Sequence, residues 1–262
     1  MTLKTGFAAL GSLFPIVGVV AIYFGLGAGW SVLGITAAVV GGLVVLSYIV
    51  AAASAATSFG EFVRGWLIGL NAALNTVLVY AIVSLFAGKP VAAILGVVAG
   101  VINLLCVFAP ISQNGFFQGV IGWLNWVMPM SWLIVVLGFL FYLFSFLLHA
   151  VTAGKVEYLK VQELGVDWAT GTFFIKGGLV ANLNPIDTAF NMGNFSFVDY
   201  KSGEWHKDHE AGHTLNLAAF GCVFHLIGAI DENVFRQGNA YSERLAESNS
   251  SGTSGSNIPM WS

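Results

Sequence analysis

Apolar positions run almost unbroken through the first 150 residues, and the few interruptions mark where helices should end. A helix crossing a hydrocarbon core about 30 Å thick needs roughly 20 mostly apolar residues. Residues 7–26, 32–53, 66–86, 91–108 and 130–150 satisfy that requirement. Gly27-Ala28-Gly29-Trp30 separates the first pair, and the small-residue stretch 51–60, followed by Glu61 and Arg64, makes the first polar loop. Gly88-Lys89-Pro90 ends the third run and Pro110 ends the fourth. Residues 116–127 are too short to span before Pro129, and the nearby Trp123, Trp126 and Trp132 suit headgroup depth. An interfacial or re-entrant helix is expected there, with a sixth span as the alternative.

Beyond Gly154 the pattern changes. Residues 156–161, 171–175 and 195–200 read as short strands, the last alternating at period two. Gly177-Gly178 and residues 182–185 carry loop signals. A helix should begin near Ser202 or Gly203 and carry Trp205 to about Phe220. The Ser/Gly-rich stretch 248–257 reads as flexible. The fold class expected is therefore an α-helical multi-pass membrane protein, with about five transmembrane helices plus an interfacial helix and a small C-terminal α+β domain. Its parts would be a membrane body over 1–154, an α+β domain over 155–247 and a flexible tail over 248–262.

Composition sharpens this division. Hydrophobic residues make up 57% of the chain and charged ones only 9%, against about 25% charged in soluble domains. Before Gly154 the only Lys, Arg, Asp or Glu residues are Lys4, Glu61, Arg64 and Lys89. Membrane lipid is the expected surrounding. The net charge of −3, with no basic stripe, excludes nucleic acid as an expected partner. Cys106 and Cys222 sit in apolar runs and read as small hydrophobes. Gly11, Gly18, Gly25, Gly41, Gly42, Gly96 and Gly100 suit close helix packing. Asn71, Asn75 and Asn103 should hydrogen-bond between helices, because no acid or base accompanies them as a transport path would require. With a cytoplasmic N-terminus, Lys4 and Arg64 lie inside and Lys89 outside, and five spans put the C-terminal domain on the extracytoplasmic side.

The candidate chemistry lies at His209-Glu210-Ala211-Gly212-His213, an HExxH using two of only five histidines. Residues four apart share one face of a helix, so both imidazoles can reach one cation. Glu210, offset by one position, can approach the water on that cation instead. Zinc lowers the pKa of such a water towards about 7, and the carboxylate can then take its proton and pass it to a leaving amine. Glu210 is the candidate catalytic base, with His209 and His213 as metal ligands.

This pentapeptide resembles the zincin metalloprotease motif, and the gluzincin branch completes its set with a glutamate. Three acids could serve. Glu232 follows His213 by nineteen residues and matches the spacing of aminopeptidase-type gluzincins. An unbroken helix would carry it about 28 Å away, so this choice requires a break, with Gly221 as its place. Glu243-Arg244-Leu245-Ala246-Glu247 is similar to the ExxAD signature of the membrane-embedded HtpX and CAAX-prenyl endopeptidase family, with Glu247 standing in place of the aspartate. That resemblance implies Glu243 as ligand and Glu247 as support for a ligand histidine; Glu243 is the favoured choice, and Glu247 is itself the third candidate. It covers only residues 209–247. His206 reads as a solvated or supporting residue, and His149 as an interfacial one. His225, about 18 Å from His213 along a straight helix, reads as too distant to ligate.

The function expected is a membrane-bound zinc-dependent metalloprotease acting on membrane-associated polypeptides near the bilayer. The alternative is a non-catalytic membrane protein whose HExxH is a structural metal site or a helix-packing feature. A transporter ranks third.

Overall fold

The computed structural model describes residues 3–183, 189–201, 206–250 and 258–261. Four long helices come first: α1 (Leu3–Gly25), α2 (Trp30–Ser54), α3 (Ser58–Val83) and α4 (Gly88–Leu105). The short α5 (Ala109–Ser112) and α6 (Gly115–Leu124) lead into α7 (Pro129–Val151), which has proline in its first turn, where no backbone donor is lost. Helix α6 occupies the stretch expected to be interfacial. The expected polar loop around Glu61 and Arg64 is instead the first turns of α3. Thr57 caps that helix by accepting the Gly60 N–H at 3.0 Å, so the chain turns within residues 55–57. Arg64 is buried and pairs with Glu61 at 2.8 Å. It therefore lies within a helix and not in a loop.

Helix α3 is the axis of the body, and α1, α2 and α4 pack on it. A Cβ on Gly65 would lie 1.9 Å from the Ala8 carbonyl oxygen, and one on Gly11 2.1 Å from that of Phe62, so α1 and α3 touch backbone to backbone. Gly96 meets α3 at the Thr76 carbonyl oxygen and Gly100 at the Thr76 hydroxyl, whereas Gly18, Gly25, Gly41 and Gly42 face open space. The outer faces of α1, α2, α4 and α7 expose Leu13, Val17, Ile35, Leu46, Ile94, Val97, Leu140 and Leu147. So large a continuous apolar exterior suits lipid as the surrounding solvent.

A four-stranded sheet follows, built from β1 (Val161–Asp167), β2 (Thr172–Gly177), β3 (Ala189–Met192) and β4 (Phe195–Val198), with α8 (Leu179–Leu183) between β2 and β3. Its spatial order is β1-β2-β4-β3, with β2 and β4 parallel and the other pairs antiparallel. One strand expectation needs correction. Residues 157–159 form a short helical turn, and the strand begins only at Val161. The segment from Phe195, expected as a strand, is β4 and lies inside the sheet, whose edges are β1 and β3. Ile175, Phe195 and Phe197 pack with Ile134 and Val135 of α7, so the sheet rests on the body.

Helix α9 (Lys207–Ile230) carries the HExxH and runs on through a wider turn, Asp231–Arg236, to α10 (Tyr241–Ala246). The expected helix start at Ser202 or Gly203 and the position of Trp205 lie outside the described residues. Among the described residues, six helices are long and apolar enough to cross a membrane, and the sixth, Lys207–Asn239, contains α9. It is no straight rod. Gly221, at φ 81° and ψ 177°, breaks α9 into two arms. The break leaves carbonyls without helical donors, and the buried asparagines of the body supply them. Asn103 donates to Ala218 O at 2.8 Å, and Asn71 donates to Ala218 O and Ala219 O at 3.2 and 3.0 Å. Asn75 donates to Asn103 Oδ1 at 2.7 Å, and its own Oδ1 accepts the Met130 N–H at 3.1 Å.

One hydrophobic cluster joins Leu67, Ile68 and Leu74 of α3 to Leu215 and Phe220 of α9, Leu245 of α10, and Ile258, Met260 and Trp261. The core therefore runs without interruption from the helical body into the HExxH segment. The expected flexible tail is corrected at both ends, while residues 251–257 lie outside the described residues. Ser248 is fully buried, and its Oγ accepts the N–H groups of Met260 and Trp261. Trp261 is 2% exposed and donates its indole N–H to Asn216 Oδ1 at 2.9 Å. An indole with a satisfied donor gains from burial, which overrides the polar composition leading up to it.

Candidate metal centre

The first arm of α9 presents His209 and His213 on one face, as their four-residue spacing requires. Helix α10 closes over that face because Gly212 has no side chain: a Cβ there would lie 2.4 Å from the Ala246 carbonyl oxygen. This contact brings Glu243 to both imidazoles. His209 Nε2 lies 3.0 Å from Glu243 Oε2, His213 Nε2 lies 3.2 Å from Glu243 Oε1, and the two Nε2 atoms are 3.1 Å apart. These donor atoms all lie within 4.8 Å of one another and could hold a metal ion.

The fit can be tested against ligand geometry. A tetrahedral ion with bonds of about 2.0–2.1 Å separates its ligands by about 3.3 Å, close to the three distances found. Two ring nitrogens and a carboxylate converging on one point is an arrangement that a cation satisfies.

The other ring nitrogen of His209 is also engaged, with Nδ1 2.9 Å from Glu247 Oε2. A ligand imidazole held through its second nitrogen by a carboxylate has its tautomer and ring plane set. Burial works to raise the pKa of the Glu243 carboxyl. The neighbouring His213 and His209 outweigh it and hold that carboxyl well below the usual carboxylate range.

Glu210 is 4% exposed, and its backbone carbonyl accepts from Asn191 Nδ2 at 3.0 Å, which ties the HExxH turn to edge strand β3. Asn191 also donates to Thr214 Oγ1 at 3.2 Å, and Thr214 in turn donates to Gly193 O at 2.7 Å. A cleft of about 890 Å³ opens over the cluster, between β3 on one side and the second arm of α9 on the other. Glu210 lines it together with His209, His213 and Glu243.

Of the three acids considered as third ligand, the structure brings Glu243 to both histidines and Glu247 to the back of one. Glu232 lines the same cleft from the turn beyond α9 but lies outside the group of converging donors. His206 precedes α9 in a left-handed conformation, at φ 44°, and also lines the cleft. His149 accepts the Val161 N–H on Nδ1 at 3.0 Å, which fixes the entry to β1. His225 stays outside the group of converging donors, as expected, but lies far nearer than a straight helix would carry it. The break at Gly221 turns the second arm, so the His225 ring centroid lies 6.5 Å from that of His213, with Nε2 3.2 Å from Asn191 O. Sequence reasoning also passed over Asn191 and Asn216. The first has no signal beyond lying in a short apolar strand, and the second is one of few polar residues in the apolar half of α9.

No known protein family, curated protein or solved structure matches this chain.

Proposed function

We propose that the protein is a membrane-bound zinc-dependent metalloprotease that hydrolyses peptide bonds near the bilayer surface, resembling the gluzincin type. The observation that carries this reading is the convergence of His209, His213 and Glu243 with Glu210 beside them in an open cleft. Zinc bound there would supply a Lewis acid and lower the pKa of a water towards about 7. His209, His213 and Glu243 would hold the ion, and Glu247 would keep the His209 ring aligned. Glu210 carries the proton traffic: its carboxylate takes a proton from the attacking water and returns it to the amine that leaves. Strand β3, an edge of the sheet that lines the cleft, is the element placed to pair with an extended polypeptide.

Detergent-purified protein tests the reading through bound zinc and through proteolysis of an unfolded membrane polypeptide. We expect near-stoichiometric zinc in both the wild type and Glu210→Gln, with cleavage lost only in the variant. Unchanged cleavage by Glu210→Gln would overturn the proposal. Zinc in both with cleavage by neither would favour a structural metal site.

A further inference from the structure

Glu243 is held by a frame that reaches back into the membrane body. The two residues before it, Tyr241 and Ser242, open α10, and both of their backbone N–H groups are taken by buried side chains from elsewhere. Ser242 N–H donates to the Tyr48 hydroxyl at 3.2 Å, and Tyr241 N–H donates to Asp231 Oδ2 at 3.4 Å. Tyr48 then donates its own proton to Asp231 Oδ2 at 3.0 Å, which closes the frame. Arg236 Nε lies 3.3 Å from the other Asp231 oxygen. On the other side of the same residue, Ser242 O accepts from Asn216 Nδ2 at 3.0 Å.

Tyr48 is 1% exposed and Asp231 5%, so water does not compete for these bonds. Tyr48 belongs to α2, among the candidate membrane spans, and packs edge-on against Tyr241 with ring centroids 5.7 Å apart. Gly228 lets the second arm of α9 approach closely, since a Cβ there would meet Ser242 Oγ at 2.6 Å. The backbone leading into Glu243 is thus clamped by α2, by the end of α9 and by its first arm. A ligand site needs its members held within about 0.5 Å, and the carboxylate of a six-residue helix cannot hold itself.

We infer that Tyr48 and Asp231 are positioning residues for Glu243, which would make a membrane helix part of the metal site's support. This inference rests on the reading of His209, His213 and Glu243 as metal ligands.

The test uses the full-length protein in detergent, titrated with zinc against a chromophoric chelator. Wild type is compared with Tyr48→Phe, with Asp231→Asn and with Tyr23→Phe. Tyr23 is equally buried and donates its hydroxyl proton to Ala28 O at 3.1 Å, away from α10, so it controls for loss of a buried hydroxyl. Zinc affinity should fall about tenfold or more in Tyr48→Phe and in Asp231→Asn, as for loss of outer support at metal sites. It should stay unchanged in Tyr23→Phe. The visible spectrum of the cobalt-loaded protein should change with Tyr48→Phe alone of the two tyrosine variants. If Tyr48→Phe does not fold, Asp231→Asn carries the same comparison. Equal affinity and an unchanged cobalt spectrum in Tyr48→Phe, with Tm lowered as in Tyr23→Phe, would overturn the positioning role alone. Absence of metal binding in wild type would overturn the metal reading along with it.

Discussion

Replacing Gly212 by alanine sets two effects against each other. Within a helix, glycine costs about 1 kcal/mol relative to alanine, so local propensity makes Gly212→Ala stabilising. The packing against α10 demands the opposite. The added Cβ would lie 2.4 Å from Ala246 O and 2.8 Å from Ala246 Cα, both backbone atoms that cannot rotate aside. Reaching even 3.0 Å, the closest that real Cβ contacts come, requires α10 to retreat by about 0.6 Å. Glu243 sits on the same short helix and moves with it, away from imidazoles now 3.0 and 3.2 Å distant. Metal–ligand distances tolerate only about ±0.2 Å. Zinc affinity should therefore fall by about tenfold or more. A zinc competition titration on detergent-purified protein measures this, and thermal unfolding in excess chelator follows the apo fold. Wild-type affinity together with a raised Tm would refute the argument, since it would mean that α10 is not clamped against α9.

Two further outcomes follow from other parts of the fold. Gly221→Ala should destabilise the protein by about 2–4 kcal/mol: φ 81° with ψ 177° suits glycine alone, and the new Cβ would lie 2.5 Å from Asn71 Oδ1, disturbing the asparagines that serve the broken helix. Chemical denaturation in detergent checks it, and a neutral result would mean that α9 is continuous there. Trp261→Ala should cost about 3–5 kcal/mol, as for a buried tryptophan in a core; a flexible tail would lose nothing, and the same denaturation series distinguishes the two.

Hydropathy alone located the long apolar helices, because length and continuity of apolar runs can be read without any tertiary contact. The sixth was not counted among the spans, since Lys207, Asp208 and Glu210 dilute the first turn of α9 and Gly221 divides the rest. The histidine pair and its neighbouring base were legible through helical periodicity, which acts over one turn. For the third candidate ligand, Glu243 was favoured over Glu247 and Glu232 through a motif resemblance alone, because the contact that brings it to the histidines, Gly212 against Ala246, is tertiary and no local pattern encodes it. The same limit applied to His225, set aside by straight-helix arithmetic that the backbone at Gly221 does not obey. Strand β3 went unpredicted because its four residues are too few to carry a periodicity, and only pairing with β4 reveals it. The Ser/Gly composition ahead of Ile258 concealed a buried anchor, since composition reports average solubility and one satisfied tryptophan can reverse it.

The most direct test is an equilibrium zinc titration of the purified wild type beside Glu243→Gln. One tight site per chain, weakened about a hundredfold or more when that single carboxylate becomes an amide, is the result predicted here. Equal binding by both proteins, or none by the wild type, would contradict it.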